Sequence, residues 1–294
     1  MKHLAPQVTR FAPSPTGLLH IGHAYAALVA RDLARATGGR FLLRIDDLDS
    51  GRCKPEFESA IYEDLAWLGI EWQHPVRRQS ECLAEYARAL EQLRFMGLIY
   101  PCFCTRKEIL REVAHAQGAP HGLEAPLYPG TCRLRTVADR QARIDASEAY
   151  ALRLDVSAAL ARLAGRPEFT ELGGGPSGET GEIVAQPELL GDIVLARSEN
   201  NGVACSYHLA VVVDDAGQGV SCVSRGRDLF FATHAQRLLQ RLLGLPAPLY
   251  LHHALAVDGA GKRLAKRHDA LSVRQMRLQG VSAQQVREMA YQTG

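Results

Sequence analysis

The sequence predicts an α/β protein built on a Rossmann-type parallel sheet. Three observations carry this. The first 45 residues read strand, loop, helix, strand. The helical stretches that follow repeat the apolar spacing of helices lying on a sheet. A run of five apolar residues, Leu209 to Val213, ends in Asp214-Asp215 and reads as a further buried parallel strand. With 294 residues, 47% hydrophobic and 22% charged, the chain can bury a core of ordinary size as one large α/β domain with insertions or two modest ones.

Gln7 to Phe11 is a short strand running into Ala12-Pro13-Ser14-Pro15-Thr16-Gly17, a loop that cannot be helix or central strand. From His20 an Ala/Leu-rich helix follows, stopped by Gly38-Gly39. Phe41 to Ile45 is a buried strand, so the unit is βαβ with a right-handed crossover. Glu56 to Leu68 is amphipathic, with Phe57, Ile61, Leu65 and Leu68 on one face. Ser80 is placed to cap a third helix that ends at Gly97. Tyr100 to Arg135 is a loop-rich insert with Pro, Gly and Cys, and Gly165 to Gly181 is expected to be a mobile surface loop. Thr233 to Leu243 is a helix. Short helices are expected near Val273 to Gln279 and Ala283 to Tyr291, giving a small helical C-terminal region.

The net charge of +2 is unevenly spread. From Lys262 onward seven Lys/Arg stand against Asp269 and Glu288, about +5, which leaves about −3 elsewhere. A basic end suits a phosphate-bearing partner, although a solvated helical face has the same composition. No run of 18 apolar residues spans a membrane, no secretory leader opens the chain, and seven cysteines fit a reducing cytoplasm.

The loop Ala12 to Leu19 leads into a helix N-terminus, where free backbone N–H groups and the dipole form an anion site. His20 and His23 share the first turn and can donate to phosphate oxygens. A purely structural role and a metal site are the other readings of such a pair. Arg10 and Asp46 end the first two strands, where an open α/β sheet binds ligands. Cys102-x-Cys104 and Cys132 bracket the insert, and 23 residues separate Cys104 from Tyr128. Three thiolates there can hold a tetrahedral Zn²⁺, with His115, His121 and Tyr128 open as fourth ligand.

The stretch RFAPSPTGLLHIGHA, with His20-Ile21-Gly22-His23, resembles the signature of the class I glutamyl- and glutaminyl-type tRNA synthetases. FLLRIDDLDSGR, LAVVVDD, VSRGRDL and the Lys262 to Lys266 segment extend the likeness over nearly the whole chain. The resemblance implies a class I catalytic core and a ligase that uses ATP, with Mg²⁺ accompanying the nucleotide. It implies catalytic roles for His20, His23 and Lys266, and ATP binding by those residues and Gly22. It assigns Arg10, Phe11, Ala12, Pro13, Ser14, Asp46, Tyr207 and Arg225 to L-glutamate, where Asp46 would take the ammonium and Arg10 or Arg225 the side-chain carboxylate. The family usually carries Glu where this chain has Asp46. Lys262 to Arg267 resembles a degenerate form of the family's lysine loop, with Arg263 and Ala265 in place of a lysine and a serine. A short-chain subfamily carries a zinc site that maps onto Cys102, Cys104, Tyr128 and Cys132, with a structural role.

Only 28 residues follow Lys266, too few for the anticodon-binding domain of a full synthetase. The expectation is therefore a truncated paralogue, monomeric and cytoplasmic. The resemblance to the short-chain subfamily implies that such a paralogue forms glutamyl-adenylate without tRNA and passes glutamate to queuosine at the wobble position, in the anticodon arm of tRNA(Asp). The alternative is an ordinary or discriminating glutamyl-tRNA synthetase fragment acting on an acceptor end. A catalytically dead paralogue and another nucleotidyl transferase of the superfamily are the remaining readings. The expected division is 1–100 and 136–243 as the two halves of the catalytic domain, 101–135 as the zinc-binding insert, and 244–294 as the lysine-loop and helical subdomain.

Overall fold

The structure is a computed structural model and describes residues 5–105, 107–110, 127–199, 202–256 and 271–293. The chain opens with β1 (Val8–Phe11), α1 (Ile21–Ala36), β2 (Arg40–Ile45), α2 (Pro55–Trp67), β3 (Gln73–Arg78) and α3 (Leu83–Phe95). Strands β1, β2 and β3 pair in that order and all in parallel, so the expected βαβ unit forms. Helix α1 is rich in alanine and lies close on the sheet. Ala24, Ala27, Leu28 and Ala30 are fully buried against Leu43, Ile45, Ile61 and Leu65. Each such leucine contributes about 1.5–3 kcal/mol on leaving water. The turn into β2 needs Gly39, because a Cβ there would lie 1.9 Å from the Gln7 carbonyl oxygen.

The second half comprises β4 (Ile99–Cys102), α4 (Val137–Asp145), β5 (Ala151–Leu154), α5 (Val156–Ala161), β6 (Glu168–Glu171), β7 (Gly181–Val184), β8 (Val194–Glu199) and β9 (Gly202–Cys205). It continues with α6 (Tyr207–Gly217), β10 (Cys222–Gly226), α7 (Phe230–Leu243), β11 (Leu249–His253), α8 (Val273–Leu278) and α9 (Ala283–Thr293). Strands β4-β5-β8-β9 form an antiparallel sheet, and β10-β11-β6-β7 form another in which only the β6–β7 pair is antiparallel. The Ser221 N–H just before β10 donates to the Val8 carbonyl at 3.0 Å, so β10 lies beside β1. Across this seam the strands run β3-β2-β1 and then β10-β11-β6. The order reverses between β1 and β10, which is where an open α/β sheet leaves a crevice for ligands.

Three expectations are corrected. Leu209 to Val213 is not a strand but the body of helix α6, with Leu209 to Val212 all buried. A helix enclosed on all sides shows no amphipathic period, so a short apolar run cannot be told from a buried strand. The Gly165 to Gly181 stretch is not simply a surface loop, since it contains β6, a core strand with Phe169 and Glu171 buried. Ser80 does not cap α3; the N-cap is Cys82, while the Ser80 N–H and hydroxyl both donate to the Asp47 carboxylate at 2.8 and 2.6 Å. The loop-rich insert is entered from β4, which includes Tyr100 to Cys102. Strand β3 was not expected from its sequence QHPVRR. Its Pro75 is tolerated because β3 is a sheet edge.

Candidate active site

The proline loop between β1 and α1 is held open by backbone bonds rather than by helix or sheet. Pro13 accepts from the Asp46 N–H and Pro15 from the Lys54 N–H, both at 3.0 Å, which ties the loop to the exit of β2. Phe11 and Pro13 are buried, Ala12 is half-buried and Ser14 is exposed. His20 is the N-cap of α1. Its Nδ1 accepts from the Gly22 N–H at 3.1 Å, and the His23 Nδ1 accepts from the His20 N–H at 3.2 Å. This reciprocal pair sets the two rings 3.8 Å apart. An accepting Nδ1 assigns each ring proton to Nε2, so both imidazoles are neutral with Nε2–H as donor. Gly22 keeps the turn tight, since a Cβ there would lie 3.1 Å from the His20 ring and 3.3 Å from Ala256.

Lys266 lies outside the described residues, as do Lys262 to Arg267. The segments that flank them are fixed at the helix start. Ala256 sits against Gly22, Ser272 bridges His20, and the Val273 N–H donates to the Leu19 carbonyl at 2.8 Å.

Behind the crevice lies an ion network that the sequence reading did not foresee. Arg10 Nε binds Asp215 Oδ1 at 3.0 Å, and Arg44 reaches the same oxygen at 2.6 Å and Asp46 Oδ1 at 2.8 Å. Asp214 accepts from Arg77 Nε, Gln79 Nε2 and the Tyr86 hydroxyl, each at 2.8 Å. Arg10, Arg44, Asp46, Asp214 and Asp215 are all buried. Burial pushes the Asp215 carboxyl up, but the Arg10 and Arg44 guanidiniums outweigh it and hold it below the ordinary range. At Asp46 burial wins over Arg44, and the carboxyl sits above the ordinary range. An arginine in the middle of the buried run FLLRI was the one signal of this network in the sequence.

Arg225, at the end of β10, is buried but forms no ion pair with a carboxylate among the described residues. Its partners are uncharged: the Tyr207 hydroxyl at 3.3 Å, Gln236 Oε1 at 2.9 Å, Thr233 Oγ1 at 2.6 Å and His252 Nε2 at 3.1 Å. Tyr207, on the first turn of α6, is partly exposed and shares Arg225 with the core. Beside it the imidazole of His208 is pushed down to about 4 by burial and by the Arg225 charge, so it is neutral.

The sulfurs of Cys102, Cys104 and Cys132 lie within 4.8 Å of one another, and all three cysteines are free. Cys104 and Cys132 are 3.5 Å apart, too far for a disulfide and near the spacing of about 3.8 Å that two thiolates adopt on one tetrahedral zinc. The Tyr128 hydroxyl is 3.8 Å from Cys104 Sγ and accepts from the Cys132 N–H at 2.7 Å. Burial pushes the Cys104 thiol up to about 12. At Cys132 burial is outweighed by bonds from the Phe103 N–H, Tyr128 and Cys104, leaving about 7. This donor set can hold a metal ion. His115 and His121 lie outside the described residues.

The family described as tRNA synthetases class I (E and Q), catalytic domain, matches residues 7–292. A protein of Rhodobacter capsulatus named glutamyl-Q tRNA(Asp) synthetase is 47% identical over 287 residues, covering 96% of this chain and 99% of that protein. A protein of the same name from Nitratidesulfovibrio vulgaris is 41% identical, covering 93% of this chain and 82% of its own length. Among solved structures, a glutamate tRNA ligase of Elizabethkingia meningosepticum in complex with its amino acid superposes with a TM-score of 0.70 at 29% identity. It covers 89% of this chain, which spans only 52% of that ligase. The parallel sheet with its crevice, the histidine-capped α1 and these matches place the chain in the class I glutamyl- and glutaminyl-type aminoacyl-tRNA synthetases, a family of ligases.

Proposed function

We propose that the protein activates L-glutamate with ATP, without tRNA, and transfers the glutamyl group to queuosine at the wobble position of tRNA(Asp). The observation that carries the amino-acid half is Arg225. It is a buried cation whose described partners are all neutral, so its charge is left for a ligand carboxylate. Arg10 is already matched by Asp215, which makes Arg225 the clamp for the glutamate side chain and Arg10 a support for the site. Tyr207 orients that clamp. Asp46, at the end of β2, faces the ammonium, and the loop Phe11, Ala12, Pro13 and Ser14 walls the pocket.

The nucleotide lies on the N-terminus of α1. Nε2–H of His20 and of His23, with the turn at Gly22, donates to phosphate oxygens as the glutamate α-carboxylate attacks the α-phosphorus and pyrophosphate leaves. Lys266 adds a positive charge there, and Mg²⁺ accompanies ATP. Cys102, Cys104, Tyr128 and Cys132 would hold a Zn²⁺, whose role would be structural, fixing a small insert that lacks its own core. The names of the relatives support the tRNA(Asp) target.

The test has two arms. Glutamate-dependent ATP–pyrophosphate exchange is expected without tRNA, slowed at least about tenfold in His23→Ala. Labelled glutamate is then offered to tRNA(Asp) with and without queuosine and to tRNA(Glu). Label on queuosine-containing tRNA(Asp) alone is expected. Charging of tRNA(Glu) instead would replace this reading with acceptor-end aminoacylation, and no exchange at all would remove both.

A further inference from the structure

We propose that Glu171 and His252 form a positioning pair that aims the Arg225 guanidinium, and that the glycine-rich turn after β6 exists to let them meet. This rests on Arg225 being the glutamate clamp. His252 lies on β11 and Glu171 ends β6, and both side chains are fully buried. Glu171 Oε2 is 2.5 Å from His252 Nδ1. Its Oε1 accepts from the His252 N–H at 2.8 Å and the Gly173 N–H at 2.9 Å. A carboxylate accepting at Nδ1 puts the ring proton there and leaves Nε2 as an acceptor. That lone pair receives Arg225 Nε at 3.1 Å. Burial lowers the imidazole's basicity, so the ring next to the arginine stays uncharged.

With Nε held by His252, the guanidinium plane is fixed. NH2 is then directed to Thr233 and NH1 to Gln236 and Tyr207. The backbone is shaped for this. A Cβ on Gly173 would lie 2.4 Å from the His252 carbonyl oxygen, and the Gly174 N–H donates to that same oxygen at 3.2 Å. The glycines therefore allow the turn to wrap the histidine, rather than serving as a mobile loop.

Two substitutions at one position separate positioning from packing. His252→Gln can place its amide oxygen near the former Nε2 and keep an acceptor for Arg225. His252→Asn is short. It keeps a donor for Glu171 but loses that acceptor. In glutamate-dependent exchange, H252N is expected to raise the glutamate KM about tenfold with the ATP KM unchanged, and H252Q to stay within about threefold of the parent. Glu171→Gln provides a second route. Its oxygen keeps the two backbone donors, so its NH2 faces Nδ1, moves the ring proton to Nε2 and sets a donor against Arg225 Nε. The glutamate KM of E171Q should rise about as much as that of H252N. Equal effects of H252N and H252Q, or an unchanged glutamate KM in E171Q, overturn the positioning role. Should H252N not fold, E171Q and H252Q decide. Arg225→Lys separates the underlying reading: an unchanged glutamate KM there removes Arg225 as clamp. A raised KM in R225K with parental H252N and E171Q removes only the pair.

Discussion

Asp46 and Asp215 receive opposite treatment from the same buried surroundings. Asp215 is held by two guanidiniums, whereas Asp46 accepts from Arg44 alone at the open end of β2. Its raised carboxyl pKa has a consequence for binding. The ammonium of glutamate needs the ionised carboxylate. Ionisation is complete above the raised pKa and is lost as pH falls through it, at a higher pH than the ordinary Asp value of 3.8. The glutamate KM is therefore expected to climb on acidification earlier than an unperturbed aspartate would allow. Asp46→Asn should have a high KM at every pH and no such climb. A KM profile identical in the parent and D46N would take Asp46 out of the pocket.

Among the elements, α2 and α8 meet over an uncomfortable group. Asp64 on α2 is fully buried, and neither carboxylate oxygen has a hydrogen-bond partner among the described residues. Burial pushes its carboxyl up to about 6, against the pull of Arg274 and Arg277 on α8. A folded pKa above the unfolded one penalises folding once the carboxyl must ionise. Stability linked to Asp64 is thus greatest below the unfolded value near 4 and declines as pH rises to about 6. Asp64→Asn should raise the Tm at pH 7.5, with the gain fading by pH 4. A Tm lowered at pH 7.5 would mean that the carboxylate stabilises the α2–α8 contact. This element also shows where sequence reading succeeds. Helices α1, α2, α8 and α9 were legible because an apolar stripe or a glycine stop marks each one. Helix α6 was not, because five apolar residues in a row have no period, and β6 was hidden by the glycines that serve its last residue.

Taken as a whole, the molecule is joined at the seam between β1 and β10, and its ion network crosses that seam. The histidines, the arginines and the cysteines were legible because each lies in a compact local pattern. The network was not, because Asp215 is 205 residues from Arg10 and 171 from Arg44, and no local spacing reports such pairs. Asp215 receives both guanidiniums on one oxygen, so it ties the helix of the second half to two strands of the first. Removing its charge leaves buried Arg10 without its carboxylate and takes one of three from buried Arg44, which keeps Asp46 and Asp214, a larger penalty than losing a solvated pair. Asp215→Asn is expected to cost about 3–5 kcal/mol in urea unfolding. Asp49→Ala, which breaks the exposed bond to Arg52, should leave the midpoint unchanged. Acid should act in the same sense. The Asp215 pKa is depressed, so its contribution holds above the ordinary aspartate value and is withdrawn only as pH falls through the lowered one. If D215N unfolds at the parent's urea concentration, the seam is held by sheet packing alone and the crevice owes its shape to the backbone.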